Sequence, residues 1–90
     1  MLTLYTTTQF RKDVKRMRKR GLNLEKLNFI IEKLLKGEIL EPKYRDHDLV
    51  GNYIGFRECH IEPDWLLIYK IDKGKLILTA SRTGSHSDLF

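Results

Sequence analysis

Glu62-Pro63-Asp64-Trp65-Leu66-Leu67-Ile68-Tyr69-Lys70-Ile71-Asp72-Lys73-Gly74-Lys75-Leu76-Ile77-Leu78-Thr79-Ala80-Ser81 is the stretch that decides the fold. Trp65, Leu67, Tyr69 and Ile71 fall on one side of an extended chain, and Leu66 and Ile68 on the other. That period of two reads as a strong strand. Glu62-Pro63-Asp64 is turn chemistry, because Pro63 fixes φ and Asp64 can bond the backbone that follows it. Asp72-Lys73-Gly74-Lys75 reads as a hairpin turn with Gly74 at the position needing positive φ. Leu76 to Ser81 is then a second strand, and Tyr53 to Ile61 a strand before the first turn. Hairpin spacing makes these three strands antiparallel.

Working outward, Leu2, Leu4 and Thr6 alternate with Thr3 and Tyr5 as a short first strand. Thr7 or Thr8 can cap a helix whose apolar face is Phe10, Val14 and Met17. Gly21 ends that helix. Asn23 caps a second, with Leu24, Leu27, Ile31, Leu34 and Leu35 as its stripe and Gly37 as its stop. The short Gly21–Asn23 link predicts that the two helices pack antiparallel. Glu38 to Val50 reads as a loop. The order is β-α-α-β-β-β, and the expected fold class is α+β: a two-layer antiparallel twisted sheet with two N-terminal helices on one face.

Ninety residues bury only about 60–65% of the surface exposed on unfolding, enough for one small core. The whole chain, 1–90, is therefore read as a single domain. Hydrophobic residues are 41% and charged residues 32%, which excludes a disordered chain. The single cysteine, Cys59, excludes an internal disulfide framework, and its mid-strand position suits a small buried hydrophobe. No apolar run is long enough to span a bilayer, so no membrane partner is expected. Met1 to Phe10 lacks the features of a signal peptide, and the expected compartment is the cytoplasm.

The net charge of +5 is unevenly placed. Residues 1–45 hold 12 Lys/Arg against five Asp/Glu, and residues 46–90 hold five against seven. The basic density peaks in the first helix, where Arg11, Lys12, Lys15, Arg16, Lys19 and Arg20 lie off the apolar face. Such a stripe is either a footprint for a polyanion or a solvated helix face.

All three histidines, His47, His60 and His86, lie in the other half. His60 ends one strand and Asp64 sits across the tight turn, so the two are expected near each other. Arg82 and His86 follow the last strand, whose end returns to that same turn. One sheet end can thus gather His60, Asp64, Arg82 and His86. Cleavage of RNA by its own 2′-hydroxyl needs a base, an acid and a cation for the phosphate, and no metal or cofactor. Histidine serves as base or acid near neutral pH, and arginine as the phosphate donor. Asp64 would orient a histidine or act as base, and Trp65 or Phe90 would stack on a substrate base. The alternatives are Trp65 as core, the commoner role of a strand Trp, and Asp64 as only a turn cap. A metal site is the weaker reading, because no tight His pair occurs and Arg82 would oppose a cation.

Three segments carry a family resemblance: Tyr44 to Gly51, Gly55 to Lys70 with its His60-x-x-x-Asp64-Trp65 core, and Arg82-Thr83-Gly84-Ser85-His86-Ser87-Asp88-Leu89-Phe90. Together they resemble YafQ-type toxins of the RelE/ParE superfamily over essentially the whole chain. The resemblance implies the toxin half of a bacterial type II toxin–antitoxin pair. It implies a ribosome-dependent, metal-free endoribonuclease that cuts mRNA in the A site and inhibits translation, with a DinJ-type antitoxin as partner. It places His47, His60, Asp64, Arg82, His86 and Phe90 in or around the site, with Trp65 beside it. Within that set the expected roles are His86 as acid, His60 with Asp64 on the base side, His47 as second base or phosphate contact, and Arg82 as charge stabiliser. Tyr53 stands where several relatives would carry Trp. The alternatives are a ParE-like gyrase poison, which lacks the His/Asp/Arg set, and a non-catalytic module that binds nucleic acid or antitoxin.

Overall fold

The computed structural model describes residues 1–90. Its elements are β1 (Thr3–Thr6), α1 (Thr8–Lys19), α2 (Leu24–Leu35), β2 (His47–Asp48), β3 (Arg57–Glu62), β4 (Trp65–Asp72), β5 (Ile77–Gly84) and α3 (His86–Leu89), with 3-10 turns at Pro42–Tyr44 and Gly51–Tyr53. The five strands form one sheet in the order β1-β5-β4-β3-β2. β4 is at its centre, as its apolar alternation requires. Trp65, Leu67 and Tyr69 join Phe10 and Met17 of α1 and Leu27, Ile30, Ile31 and Leu34 of α2 in the main core. Each fully buried apolar side chain there contributes about 1.5–3 kcal/mol over leaving it exposed. Leu66 and Ile68 face the other way and pack with Leu89 of α3.

Thr7 caps α1, its hydroxyl accepting from the Phe10 N–H and donating to the Ser81 carbonyl of β5. Asn23 caps α2. The helices end at Gly21 and Gly37, both with positive φ.

Four features depart from expectation. The sheet is mixed, because β1 pairs with β5 in parallel, Thr3 opposite Ile77 and Thr6 opposite Ala80. Hairpins impose antiparallel pairing only on the strands they join, and β1 reaches β5 across the two helices. The strand expected from Tyr53 begins at Arg57, since Gly51 and Gly55 take left-handed φ of 68° and 91° and coil the chain before it extends. His47 and Asp48, expected in a loop, add a short edge strand opposite Glu58 and Arg57. Arg57 fixes it, bonding Asp48, Asp46 and the Tyr69 hydroxyl, while Tyr69 also donates to Asp46. In the β4–β5 turn the positive φ falls on Leu76 and not on Gly74. Asp72 accepts from the Lys75 N–H to close that turn.

No helix is long and apolar enough to cross a membrane.

Candidate active site

Residues opposite one another in antiparallel strands share a face. His47 lies opposite Glu58, Glu58 opposite Ile68, and Ile68 opposite Arg82. A second row runs His60, Leu66, Gly84. One sheet face, the one away from α1 and α2, therefore carries His47, Glu58, His60 and Arg82 around the small cluster of Leu66, Ile68 and Leu89. α3 folds back over the end of β5 and adds His86. The His47 and His60 rings are 6.5 Å apart and the His60 and His86 rings 5.6 Å, so the His60 ring neighbours both of the others.

The expected pairing of His60 with Asp64 is replaced by another. Asp64 Oδ1 accepts from the His86 backbone N–H at 2.9 Å and faces His86 Nδ1 at 2.6 Å. The His86 backbone and then its ring hold the Asp64 carboxyl below the usual carboxylate range. His60 Nδ1 instead lies 3.3 Å from the Pro63 carbonyl. A register shift lies between His60 and Glu62 at this end of β3. α3 can present His86 because Ser85 and Asp88 cap it reciprocally.

Arg82 lies inside β5 and does not follow it. β1 stops at Thr6 opposite Ala80, leaving the next stretch of β5 without a strand neighbour. α1 closes that edge. Asp13, fully buried, accepts from the Thr83 N–H at 3.1 Å and from Arg82 Nε at 2.8 Å. Gln9 and Arg16 complete its partners at 3.0 and 2.7 Å. Burial pushes this carboxyl up, but the bonds from Arg82, Gln9 and Thr83 outweigh it and keep Asp13 below its ordinary range. The bond to Asp13 in turn raises Arg82 above its ordinary value.

Trp65 does not stand beside the site as a stacking surface. It is 2% exposed in the main core, and its indole N–H donates to the Thr83 hydroxyl at 2.9 Å. Strand alternation puts it on the helix side of the sheet. Phe90 is 63% exposed and meets Tyr53 edge-on at 5.6 Å, so an aromatic pair borders the site. Cys59 is buried, which pushes its thiol up to about 12 and leaves it inert.

The basic stripe is divided. Arg16 and Arg20 bind Asp88, Arg20 through two bonds of 2.6 and 2.9 Å, and Arg16 also holds Asp13. They clasp α3 to α1. Arg11 bonds Thr6 and Thr8 at the helix start. Lys12, Lys15 and Lys19 are exposed and make no ion pair, and so is Arg18, which the sequence reading passed over.

Glu58 was also passed over. It is 6% exposed, with His47 Nε2 at 3.1 Å and His60 Nε2 at 3.8 Å. Its position two residues before His60 was the available signal, since i and i+2 share a strand face.

The model of the bacterial toxin YafQ of type II toxin–antitoxin systems matches residues 2–90. The chain is 43% identical over 84 residues to the mRNA interferase toxin YafQ of Escherichia coli K12, spanning 91% of this chain and 88% of that protein. Among solved structures, it superposes on a metal-bound toxin from Helicobacter pylori with a TM-score of 0.94 at 46% identity, each chain covered completely. It superposes on a chain of the E. coli DinJ–YafQ complex with a TM-score of 0.91 at 37% identity, covering 100% of this chain and 99% of that one.

Proposed function

This chain belongs to the YafQ family of toxins of bacterial type II toxin–antitoxin systems, and from that premise we propose that it is an mRNA endoribonuclease working on the ribosome in the cytoplasm and held in check by a DinJ-type antitoxin. The observation that carries the reading is the group of three neighbouring imidazoles over the sheet face that also carries Arg82.

His60 takes the proton of the substrate 2′-hydroxyl. With its Nδ1–H on the Pro63 carbonyl, its Nε2 keeps a lone pair. The freed 2′-oxygen bonds to phosphorus, and the bond from phosphorus to the 5′-oxygen breaks. His86 gives that oxygen a proton. Asp64 faces His86 Nδ1 and fixes the orientation of the ring that donates. Arg82 neutralises the added charge on the phosphate, its guanidinium held in place by Asp13 through Nε and Nη2. Phe90 and Tyr53 supply the stacking surface for a base. The products are a 2′,3′-cyclic phosphate and a 5′-hydroxyl.

The test is cleavage of a reporter mRNA on purified ribosomes, with end analysis. Cyclic phosphate ends, and activity that survives EDTA pretreatment of the toxin with Mg²⁺ restored for the ribosome, support the reading. A 3′-hydroxyl end, or activity recovered only by Zn²⁺ or Cu²⁺, overturns the mechanism. Full toxicity of His86→Ala overturns the nuclease reading itself.

A further inference from the structure

We propose that the cleft between the start of α2 and the turn from Pro42 to Arg45 is a second substrate subsite, which seats the nucleoside on the 5′ side of the bond that is cut. This deepens the endoribonuclease reading above and rests on it.

The position of the cleft carries the proposal. Its volume is about 650 Å³, inside the ~300–1,000 Å³ range of small-ligand sites. His60, in β3, forms part of its wall, while Asp64, Arg82 and His86 do not. The cleft therefore adjoins the base of the reaction and not the acid. His60 takes the proton of a 2′-hydroxyl, and that hydroxyl belongs to the nucleotide on the 5′ side of the scissile phosphate. The nucleoside that must lie beside His60 is thus the 5′ one. The 3′ side has its own aromatic residue, because Phe90 directly follows α3, which carries His86.

The walls suit a base and its phosphate. Phe29 of α2 is 49% exposed and takes no part in the core. Lys33, which does not line the cleft, stands over its ring at 5.3 Å. Tyr44 also lines the cleft, and it is half-buried and packed on the core, so its ring is held in place. Aromatic rings are what an unpaired base stacks on. Of the charged groups, Lys26 and Glu62 cancel each other at 2.7 Å. Lys43 and Arg45 remain, exposed and without an ion pair, against Glu25. Free cations beside aromatic rings fit a nucleotide, the cations taking its phosphate.

The turn is also tied to the reaction centre. Arg45 has a φ of 49°, a left-handed conformation that residues with a side chain rarely adopt and that recurs at functional sites. Its carbonyl oxygen lies 2.6 Å from His47 Nδ1. The segment that brings Lys43, Tyr44 and Arg45 to the cleft is therefore held against one of the three imidazoles. A base seated there fixes where its own 2′-hydroxyl lies.

The experiment compares the full-length wild type with Phe29→Ala on purified ribosomes carrying two mRNAs. The mRNAs differ only in the nucleotide on the 5′ side of the mapped cut, which in one lacks its base and keeps its ribose and 2′-hydroxyl. On the intact mRNA, Phe29→Ala should raise KM about fivefold to a hundredfold, the size of one base–aromatic stack. It should act on KM more than on kcat, because the stack is made before and during the reaction alike. On the abasic mRNA the two proteins should differ by less than about twofold, since no base is left to couple to Phe29. Phe29 is exposed, so Tm should stay in place. Independently of that variant, Lys43→Gln with Arg45→Gln should raise KM and flatten its dependence on salt. An equal loss on both mRNAs, no loss on the intact one, or an unaltered salt dependence overturns the proposal. So does a Phe29→Ala protein that binds antitoxin more weakly with KM unchanged, which makes the cleft an antitoxin seat. A wild type that cuts neither mRNA brings down the nuclease reading and the subsite with it. A wild type that cuts, matched by Phe29→Ala, brings down the subsite alone.

Discussion

Arg82→Ala and His86→Ala should both abolish mRNA cleavage, yet only the first should loosen the fold. Arg82 gives Asp13 two bonds, of 2.8 and 3.3 Å, and the Asp13 side chain is 0% exposed. Hydrogen bonds to charged groups are worth about 1.5–3 kcal/mol. Asp13 retains Arg16, Gln9 and the Thr83 N–H after the change, which places the loss near the lower end, about 2 kcal/mol. For a domain of this size that lowers Tm by about 8–16 °C. His86 and Asp64 are 54% and 68% exposed, so His86→Ala should stay within about 0.5 kcal/mol of wild type. The assay is urea unfolding followed by the single tryptophan, Trp65, which is buried and bonded to Thr83 next to Asp13. A cycle with Asp13→Asn should return a coupling of about 1–2 kcal/mol. An Arg82→Ala protein with the wild-type midpoint, or a coupling of zero, would refute the claim that Asp13 and Arg82 support each other.

Other outcomes follow from the same contacts. Asp88 is held well below its ordinary range, first by Arg20 and then by the Ser85 bonds. A depressed carboxyl stabilises the fold above its unfolded value, near ~3.9, and that contribution is lost as pH falls through the folded value. Asp88→Asn should therefore lower stability at pH 7 and flatten its loss on acidification below about pH 4, read as Tm against pH. Lys12→Glu with Lys15→Glu should weaken ribosome binding and its salt dependence while leaving Tm in place. Unchanged affinity at low salt would make these lysines a solvated face. Trp65→Phe should cost about 1 kcal/mol through the lost Thr83 bond and keep cleavage, whereas loss of cleavage in a folded protein would return Trp65 to the site.

The elements were legible where one physical signal ruled. The alternation of Trp65 to Ile71 marked the central strand and its two faces, and the caps at Thr7 and Asn23 marked the helix starts. β2 was not legible, because a two-residue strand of His47 and Asp48 has no apolar alternation and exists through its pairing with β3 and the Arg57 ion pairs. The parallel pairing of β1 was hidden for a related reason, since residues 3–6 carry no information about which strand they meet. Within the site, the histidines and Arg82 stood out by type. Their wiring did not, since residue type and strand alternation do not say whether Asp64 meets His60 or His86. Asp13 was legible in principle: it falls three residues after Phe10 and four before Met17, on the buried side of α1. A carboxylate on an apolar face calls for a paired cation.

β1 closes the sheet only against residues 77–80, and Thr7 caps α1 while bonding Ser81, 74 positions later. In time order during synthesis, the first strand and the first helix wait for nearly the whole chain before they can dock. Contacts of such long sequence separation form late and slowly. Asp13 reaches its place with them, and with Asp13 comes the support of Arg82. A partly made chain on its ribosome consequently has neither a closed sheet nor an assembled group of imidazoles.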